Sequence, residues 1–295
     1  MSETRGRRPP GREPGAAADV PVLMYHSIRE RPPRATAGLA VRPGEFADQM
    51  ALLKERGFTP VPFSAVARTA DTAATGAALP GESEPPGKGE LPDKPVAITF
   101  DDGYADFHEQ ALPVLEKHGF TATVFVTTGW LADAGADAAG RPLDRMLAWT
   151  QVREAAAHGV EIGGHSHSHP QLDQLGDAEL RSELTRNRGL LEDRLGRAVT
   201  TMAYPYGYSS LRVRRAVRAA GYDAACSVEN RLGRVTDVLA IPRLTVRMST
   251  SLGTFERLAD GRGIPLIYLK DHALTRGYAV VRRTRYAVRR VTGRV

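Results

Sequence analysis

Two adjacent carboxylates, Asp101 and Asp102, end the apolar run Val96-Ala97-Ile98-Thr99-Phe100 and are followed by Gly103. Like charges this close oppose joint ionisation. The mouth of a buried strand keeps such a pair most readily when a cation lies against it or when one carboxylate works as a base. A second cluster follows in Gly163-Gly164-His165-Ser166-His167-Ser168-His169-Pro170. One aspartate and two imidazoles are enough to hold a divalent ion and leave coordination positions open. Which imidazoles take part depends on the backbone. A helical turn after the glycines sets His165 and His169 on one face, whereas an extended segment would align His165, His167 and His169. The glycines before and Pro170 after favour the turn, so the expected ligands are Asp102, His165 and His169. Asp101 is then the free carboxylate, placed to take a proton from an attacking water. Capping of the following helix would explain one acid of the doublet but not both.

These groups need a scaffold that brings distant segments to one edge. Short apolar runs read as buried strands at 20–28, 95–100, 121–127, 160–164, 199–207 and 222–228. Between them, helical spacing and C-terminal glycines predict helices at 45–57, 105–118, 150–158, 177–195 and 209–220. Strands alternating with helices make an α/β fold. His26, Asp101-Asp102, the His165 to His169 segment and Tyr206 all fall at strand C-termini, the edge that carries the site in parallel α/β architectures.

The chain has 295 residues, 42% of them hydrophobic and 25% charged, which suits one large domain with appendages. Residues 1–19 read as a disordered tail and 20–250 as the domain. Residues 69–93, rich in Ala, Gly, Pro and Glu without apolar periodicity, read as a flexible insertion. Residues 251–295 read as a basic, helical C-terminal extension. A single cysteine, Cys226, excludes an internal disulfide framework and a cysteine-built zinc site.

The net charge of +6 is concentrated in arginines at the two ends. No aromatic interleaving or recognition motif accompanies them, so no nucleic-acid partner is expected. The C-terminal run from Arg282 to Arg294, with Tyr278 and Tyr286, would suit an amphipathic helix lying on the domain or on an anionic membrane. No stretch has the apolar length of a membrane span, and the arginine-rich N-terminus lacks the apolar core of a secretory signal. A cytoplasmic location is therefore expected.

Thr99-Phe100-Asp101-Asp102-Gly103, then His165-Ser166-His167-Ser168-His169-Pro170, then Ala203-Tyr204-Pro205-Tyr206-Gly207, in this order at strand ends, resemble the polysaccharide deacetylase family of NodB-type carbohydrate esterases. The resemblance covers about residues 94–245, and the strand at 20–28 resembles the opening strand of many members. It implies a distorted (β/α) barrel with fewer than eight regular strands. It also implies removal of N- or O-acetyl groups from glycans such as N-acetylglucosamine polymers, with one divalent ion, often zinc. Carried onto this chain, it makes Asp101 the base, Asp102, His165 and His169 the metal ligands, and Ser166 a support of the histidine loop. The Tyr206 amide would face the oxyanion, Pro205 would fix that turn, and Tyr25, Pro205 and Tyr206 would border the substrate. The chain departs from the family in two ways. Ala203 stands where many members have an arginine that orients the base, and Arg243 is expected to replace it from a neighbouring strand end. The family's late histidine, its general acid, has no evident counterpart; His26 is the expected substitute, with His272 the other candidate. Two rival readings are a catalytically impaired glycan-binding protein on the same fold and a hydrolase of another non-peptide C–N bond.

Overall fold

A computed structural model of the chain describes residues 20–75, 91–232, 235, 237–272 and 284. Within them the strands are β1 (Val22–Tyr25), β2 (Thr59–Pro60), β3 (Pro95–Phe100), β4 (Thr123–Val126), β5 (Glu161–Gly164), β6 (Thr201–Ala203), β7 (Ala224–Val228) and β8 (Ile241–Thr245). The helices are α1 (Pro43–Glu55), α2 (Phe63–Thr75), α3 (Leu112–His118), α4 (Trp149–Ala157), α5 (Asp177–Leu195), α6 (Leu211–Ala219), α7 (Leu252–Ala259) and α8 (Ile264–Ile267). All strand pairings are parallel. The order runs β1-β8-β7-β6-β5-β4-β3, and β3 pairs back onto β1, which closes the ring. β2 pairs only with the first residues of β3 and stays outside the ring, so seven of the eight strands form the barrel. A barrel with fewer than eight regular strands is what the resemblance implies.

The period-2 alternation of strands sorts side chains into two layers. Leu23, Tyr25, Ile98, Phe100, Val124, Val126, Met202 and Leu244 pack outward with α1, α3, α4 and α5 in the main core. Ala97, Phe125, Ala203, Cys226 and Ile241 belong to a second cluster with Phe63, Val66 and Ala67 of α2. Small residues dominate this second layer, and α2 plugs it. That packing corrects the expectation for 69–93. Residues 69–75 are the end of α2, because Phe63, Val66, Ala67 and Ala70 are buried and anchor the helix. Residues 76–90 lie outside the described residues, as does the tail 1–19.

The helix expected over 105–118 is interrupted: Phe107–Ala111 forms a π-helical turn that leads into α3. The expected C-terminal extension begins as α7 and α8, with Phe255, Leu258, Ile264 and Tyr268 buried. Tyr268 donates its hydroxyl to the Thr245 carbonyl at 2.6 Å, tying this segment to the end of β8. The basic run from Arg282 to Arg294, on which the membrane expectation rests, lies outside the described residues. Among those described, no helix is long and apolar enough to cross a membrane.

Cys226 is fully buried on β7 and burial pushes its thiol up, away from the reactive thiolate. A thiol reagent is therefore expected to leave the native protein unlabelled and to label Cys226 only after denaturation. Rapid labelling of the native protein would contradict this packing.

Candidate metal centre

Three turns, at the C-termini of β3, β5 and β6, build the centre, and each bends sharply. Five non-glycine residues among those described have left-handed φ angles, and Asp102 (73°), Ser166 (62°), His169 (61°) and Tyr206 (61°) are four of them. Each such residue costs on the order of 1 kcal/mol or more, and this kind of strain concentrates at functional sites. The bends aim side chains of β3, β5 and β6 across the barrel mouth rather than along it.

Asp102, His165 and His169 converge. Asp102 Oδ1 lies 3.3 Å from His165 Nε2 and 3.2 Å from His169 Nε2. The approach lacks hydrogen-bond alignment: Oδ1 is buried and has no hydrogen-bond partner. The three groups can offer ligand atoms that all lie within 4.8 Å of one another. A buried carboxylate oxygen without a donor, faced by two ring nitrogens, is what a divalent ion would satisfy. The residues present therefore fit one such ion. Burial alone would raise the Asp102 carboxyl, but the two imidazoles override it and hold it well below the usual carboxylate range.

The histidine loop is braced from behind. His165 Nδ1 donates to the Ala203 carbonyl at 2.8 Å, which leaves Nε2 for the ion. His169 N–H donates to Ser166 Oγ at 3.1 Å, the supporting role expected of Ser166. His167 points elsewhere, with Nδ1 3.0 Å from Thr128 Oγ1. On α5, the Glu183 carboxylate accepts from the amides of His167 and Ser168 and from the Ser168 hydroxyl. The Asn187 side chain, also on α5, donates to the Ser166 carbonyl at 2.7 Å and accepts from the Tyr222 hydroxyl at 2.9 Å. The His169 ring sits between Trp130 and Tyr206, with centroids 4.6 and 4.8 Å away.

The glycines before the loop are needed for space. A Cβ on Gly164 would collide with the Tyr222 hydroxyl and the Asn187 side-chain carbonyl. One on Gly163 would lie 2.6 Å from the Phe125 ring. Gly164→Ala is expected to cost about 1–3 kcal/mol in stability and about 10–100-fold in metal affinity through the displaced Asn187. Thermal unfolding and zinc titration of the variant check this, and wild-type values in both would contradict it.

Asp101 lies beside the cluster but turns into the barrel. Arg243 Nη1 and Nη2 donate to its two carboxylate oxygens at 2.6 and 2.7 Å. Arg243 is wholly buried, and it also donates to Thr99 Oγ1 and the Ser227 carbonyl. Burial would raise the Asp101 carboxyl, but the guanidinium outweighs it and the net shift is downward. Arg243 thus stands against Asp101 where Ala203 offers no charge, as expected from the sequence. His26 Nε2 lies 3.9 Å from Asp101 Oδ2. Burial lowers the His26 imidazole more than the two aspartates raise it, so it rests neutral.

Pro205 is buried and opens the 3₁₀ turn Pro205–Gly207, in which the Tyr206 side chain is exposed at the mouth. Tyr25 is not at the mouth. It is fully buried in the outer layer, its ring stacked on Phe100 and its hydroxyl donating to Gln49 at 2.7 Å. The expectation that it borders substrate fails because the pleat turns residue 25 toward α1. His272 does not join the centre; its Nε2 lies 3.2 and 3.1 Å from the carbonyls of Glu229 and Asn230. Sequence reasoning missed Trp130, Glu183 and Asn187. Asn187 left a signal: it interrupts the buried stripe Leu180, Leu184, Leu191 of α5, and a polar residue in an apolar stripe must be bonded to something specific.

Three comparisons bear on this arrangement. A family model described as polysaccharide deacetylase matches residues 88–225. Among related sequences, the putative polysaccharide deacetylase YxkH of Bacillus subtilis is 28% identical over 214 residues, 72% of this chain and 65% of the relative. The poly-beta-1,6-N-acetyl-D-glucosamine N-deacetylase of Escherichia coli K12 is 26% identical over 251 residues, 74% of this chain and 35% of the relative. The match thus spans less than two thirds of either relative's length. Among solved structures, the Streptococcus pyogenes deacetylase PplD in complex with acetate superposes with a TM-score of 0.68 at 24% identity, over 82% of this chain and 98% of that one. BC0361 of Bacillus cereus, a polysaccharide deacetylase, gives 0.64 at 24% identity, over 81% and 68%. These structural likenesses show a shared fold. The segment matched by the family model contains both aspartates and both converging histidines, and over that segment the chain is similar to the polysaccharide deacetylases.

Proposed function

We propose that this protein is a metal-dependent hydrolase that removes acetyl groups from a carbohydrate, acting on N-acetyl groups and, in a second capacity, on O-acetyl esters. The observation that carries this reading is the separation of duties in the aspartate pair. Asp102 faces the two imidazoles, while Asp101 is held by Arg243 and kept ionised, as a base must be. Two imidazoles and a carboxylate without thiolates suit zinc, which we take as the ion. When bound, it would supply Lewis acidity to the acetyl carbonyl and to the attacking water.

The remaining steps fall to the chain's own side chains and backbone. Asp101 takes the proton of the attacking water. His26 is neutral at rest, so the proton it delivers to the departing nitrogen comes from Asp101, 3.9 Å away. The Tyr206 amide, in the first turn of its 3₁₀ segment, donates to the developing oxyanion. Pro205 fixes that turn, and the exposed Tyr206 ring meets the sugar. The products are acetate and a free amine, or an alcohol when an ester is cleaved.

Purified protein with zinc should release acetate from chitin oligomers or another acetylated glycan. A chelator should stop the release and added zinc should restore it. Glycan binding without turnover under any metal would replace this reading with that of a binding protein, and turnover confined to other amides would shift it to another C–N hydrolase.

A further inference from the structure

From α8 onward the chain turns one face to the core and another to solvent. Ile264 and Tyr268 are buried, whereas Leu266 and Leu269 are 80% and 64% exposed. Lys270, next to them, is exposed as well. This segment is fastened to the rim that carries the metal centre. Tyr268 bonds to the carbonyl of Thr245 at the end of β8, and His272 lies against the carbonyls of Glu229 and Asn230 just after β7. Arg247 and Asp271 add an ion pair at 2.7 Å. Two large apolar side chains are thus held outward beside the barrel mouth.

Beyond His272 the sequence continues in a regular pattern. Leu274, Val281, Val288 and Val295 recur every seven residues. Arg276, Arg283 and Arg290 keep the same interval two positions after that series, and Arg282 and Arg289 one position after it. On a helix those offsets are about 200° and about 100° of rotation. Such a sequence, wound as a helix, carries a Leu/Val stripe on one side and arginines on the opposite and adjoining sides. Thr284, within the stretch, is helical and exposed. No Asp or Glu follows Asp271, and the seven arginines that do outnumber the net charge of the whole chain, +6. The rest of the protein is therefore close to neutral, and its cationic character belongs to this segment.

An apolar stripe flanked by cations fits the surface of an anionic bilayer, where apolar side chains reach the acyl boundary and arginines meet the headgroups. Tyr278 and Tyr286 suit the same interface. A nucleic acid or an acidic glycan would use the arginines but leave the stripe and the two leucines in water. A coiled coil with a second copy needs a second apolar series between the first, and those positions hold Gly277, Thr284 and Val291.

We propose that Leu266, Leu269 and the basic segment after His272 form a docking surface for an anionic lipid membrane. A docked chain would hold its barrel mouth near the lipid surface. The inference goes beyond the deacetylase reading and does not depend on it, since its test reads no turnover.

The test is co-sedimentation of the full chain with vesicles containing phosphatidylglycerol, with pure phosphatidylcholine vesicles as the neutral control. Wild type should pellet with the anionic vesicles, bind the neutral ones at least about 10-fold more weakly, and bind less at high salt. Each arginine near such a surface strengthens binding about fivefold, so Arg282→Gln with Arg289→Gln should weaken it about 25-fold. Leu266→Ser with Leu269→Ser should weaken it about 10-fold. The thermal midpoint of that leucine variant should stay at the wild-type value, because both side chains already face water. No pelleting of wild type with anionic vesicles, or equal binding to neutral ones, would overturn the proposal. So would wild-type binding by either double variant. Pelleting without vesicles would also overturn it, in favour of self-association.

Discussion

Asp101→Asn should lower the rate of acetate release by about 10²–10⁴-fold, the usual contribution of a positioned base, while the protein keeps one metal ion per chain. The asymmetry follows from the two directions in which the doublet points. Asp102 meets the imidazoles of His165 and His169, and Asp101 meets Arg243 and His26. An amide at position 101 cannot accept the proton, yet its carbonyl still offers Arg243 one acceptor, so the turn through Gly103 should persist. The check pairs acetate assays with metal analysis of the same sample. Loss of the metal together with activity would mean that the two carboxylates share the ion, and the division of roles would be wrong.

The second large effect concerns Arg243. A guanidinium with no exposure, donating to both oxygens of one carboxylate, is a buried ion pair, and removing one partner strands the other charge. Arg243→Met should destabilise the fold by about 3–5 kcal/mol. It should also cut activity sharply, because burial would then raise the unpaired Asp101 carboxyl and neutralise the base. The double variant Asp101→Asn with Arg243→Met should be far more stable than the sum of the single losses, since neither charge remains. Denaturant unfolding of the four proteins measures the coupling. Additive losses would show that the pair does not hold the barrel interior together.

How much of this was readable beforehand depends on the range of the interactions. Local signals carried the α/β alternation: Gly196 ends α5 at the expected residue and β3 coincides with its apolar run. The ligand set was legible because Gly163-Gly164 and Pro170 constrain a short loop, and His167 does turn away to Thr128. The failures are of phase and of long-range packing. Tyr25 sits next to His26 in the chain but on the opposite side of the pleat. α2 was hidden because residues 69–75 are Ala and Thr apart from Asp71, with no large apolar residue among them, and it is the barrel bottom that holds the helix through Phe63, Val66 and Ala67. β8 carries Pro242 within the strand, which disguises it, although Arg243 beside it was expected at a strand end. The bracing of the histidine loop by Glu183 and Asn187 joins α5 to a loop that precedes it by more than a dozen residues, and no local pattern encodes that pairing.

The measurement closest to the centre of this account is zinc titration of chelator-stripped protein, wild type beside Asp102→Ala, His165→Ala, His169→Ala and His167→Ala. Wild type should bind one ion per chain. The first three variants should lose more than about 100-fold in affinity, beyond what an outer-shell change costs, while His167→Ala keeps the ion with at most that smaller loss. One ion still bound tightly after loss of Asp102, or a His167→Ala variant as empty as His165→Ala, would contradict the assignment of the centre.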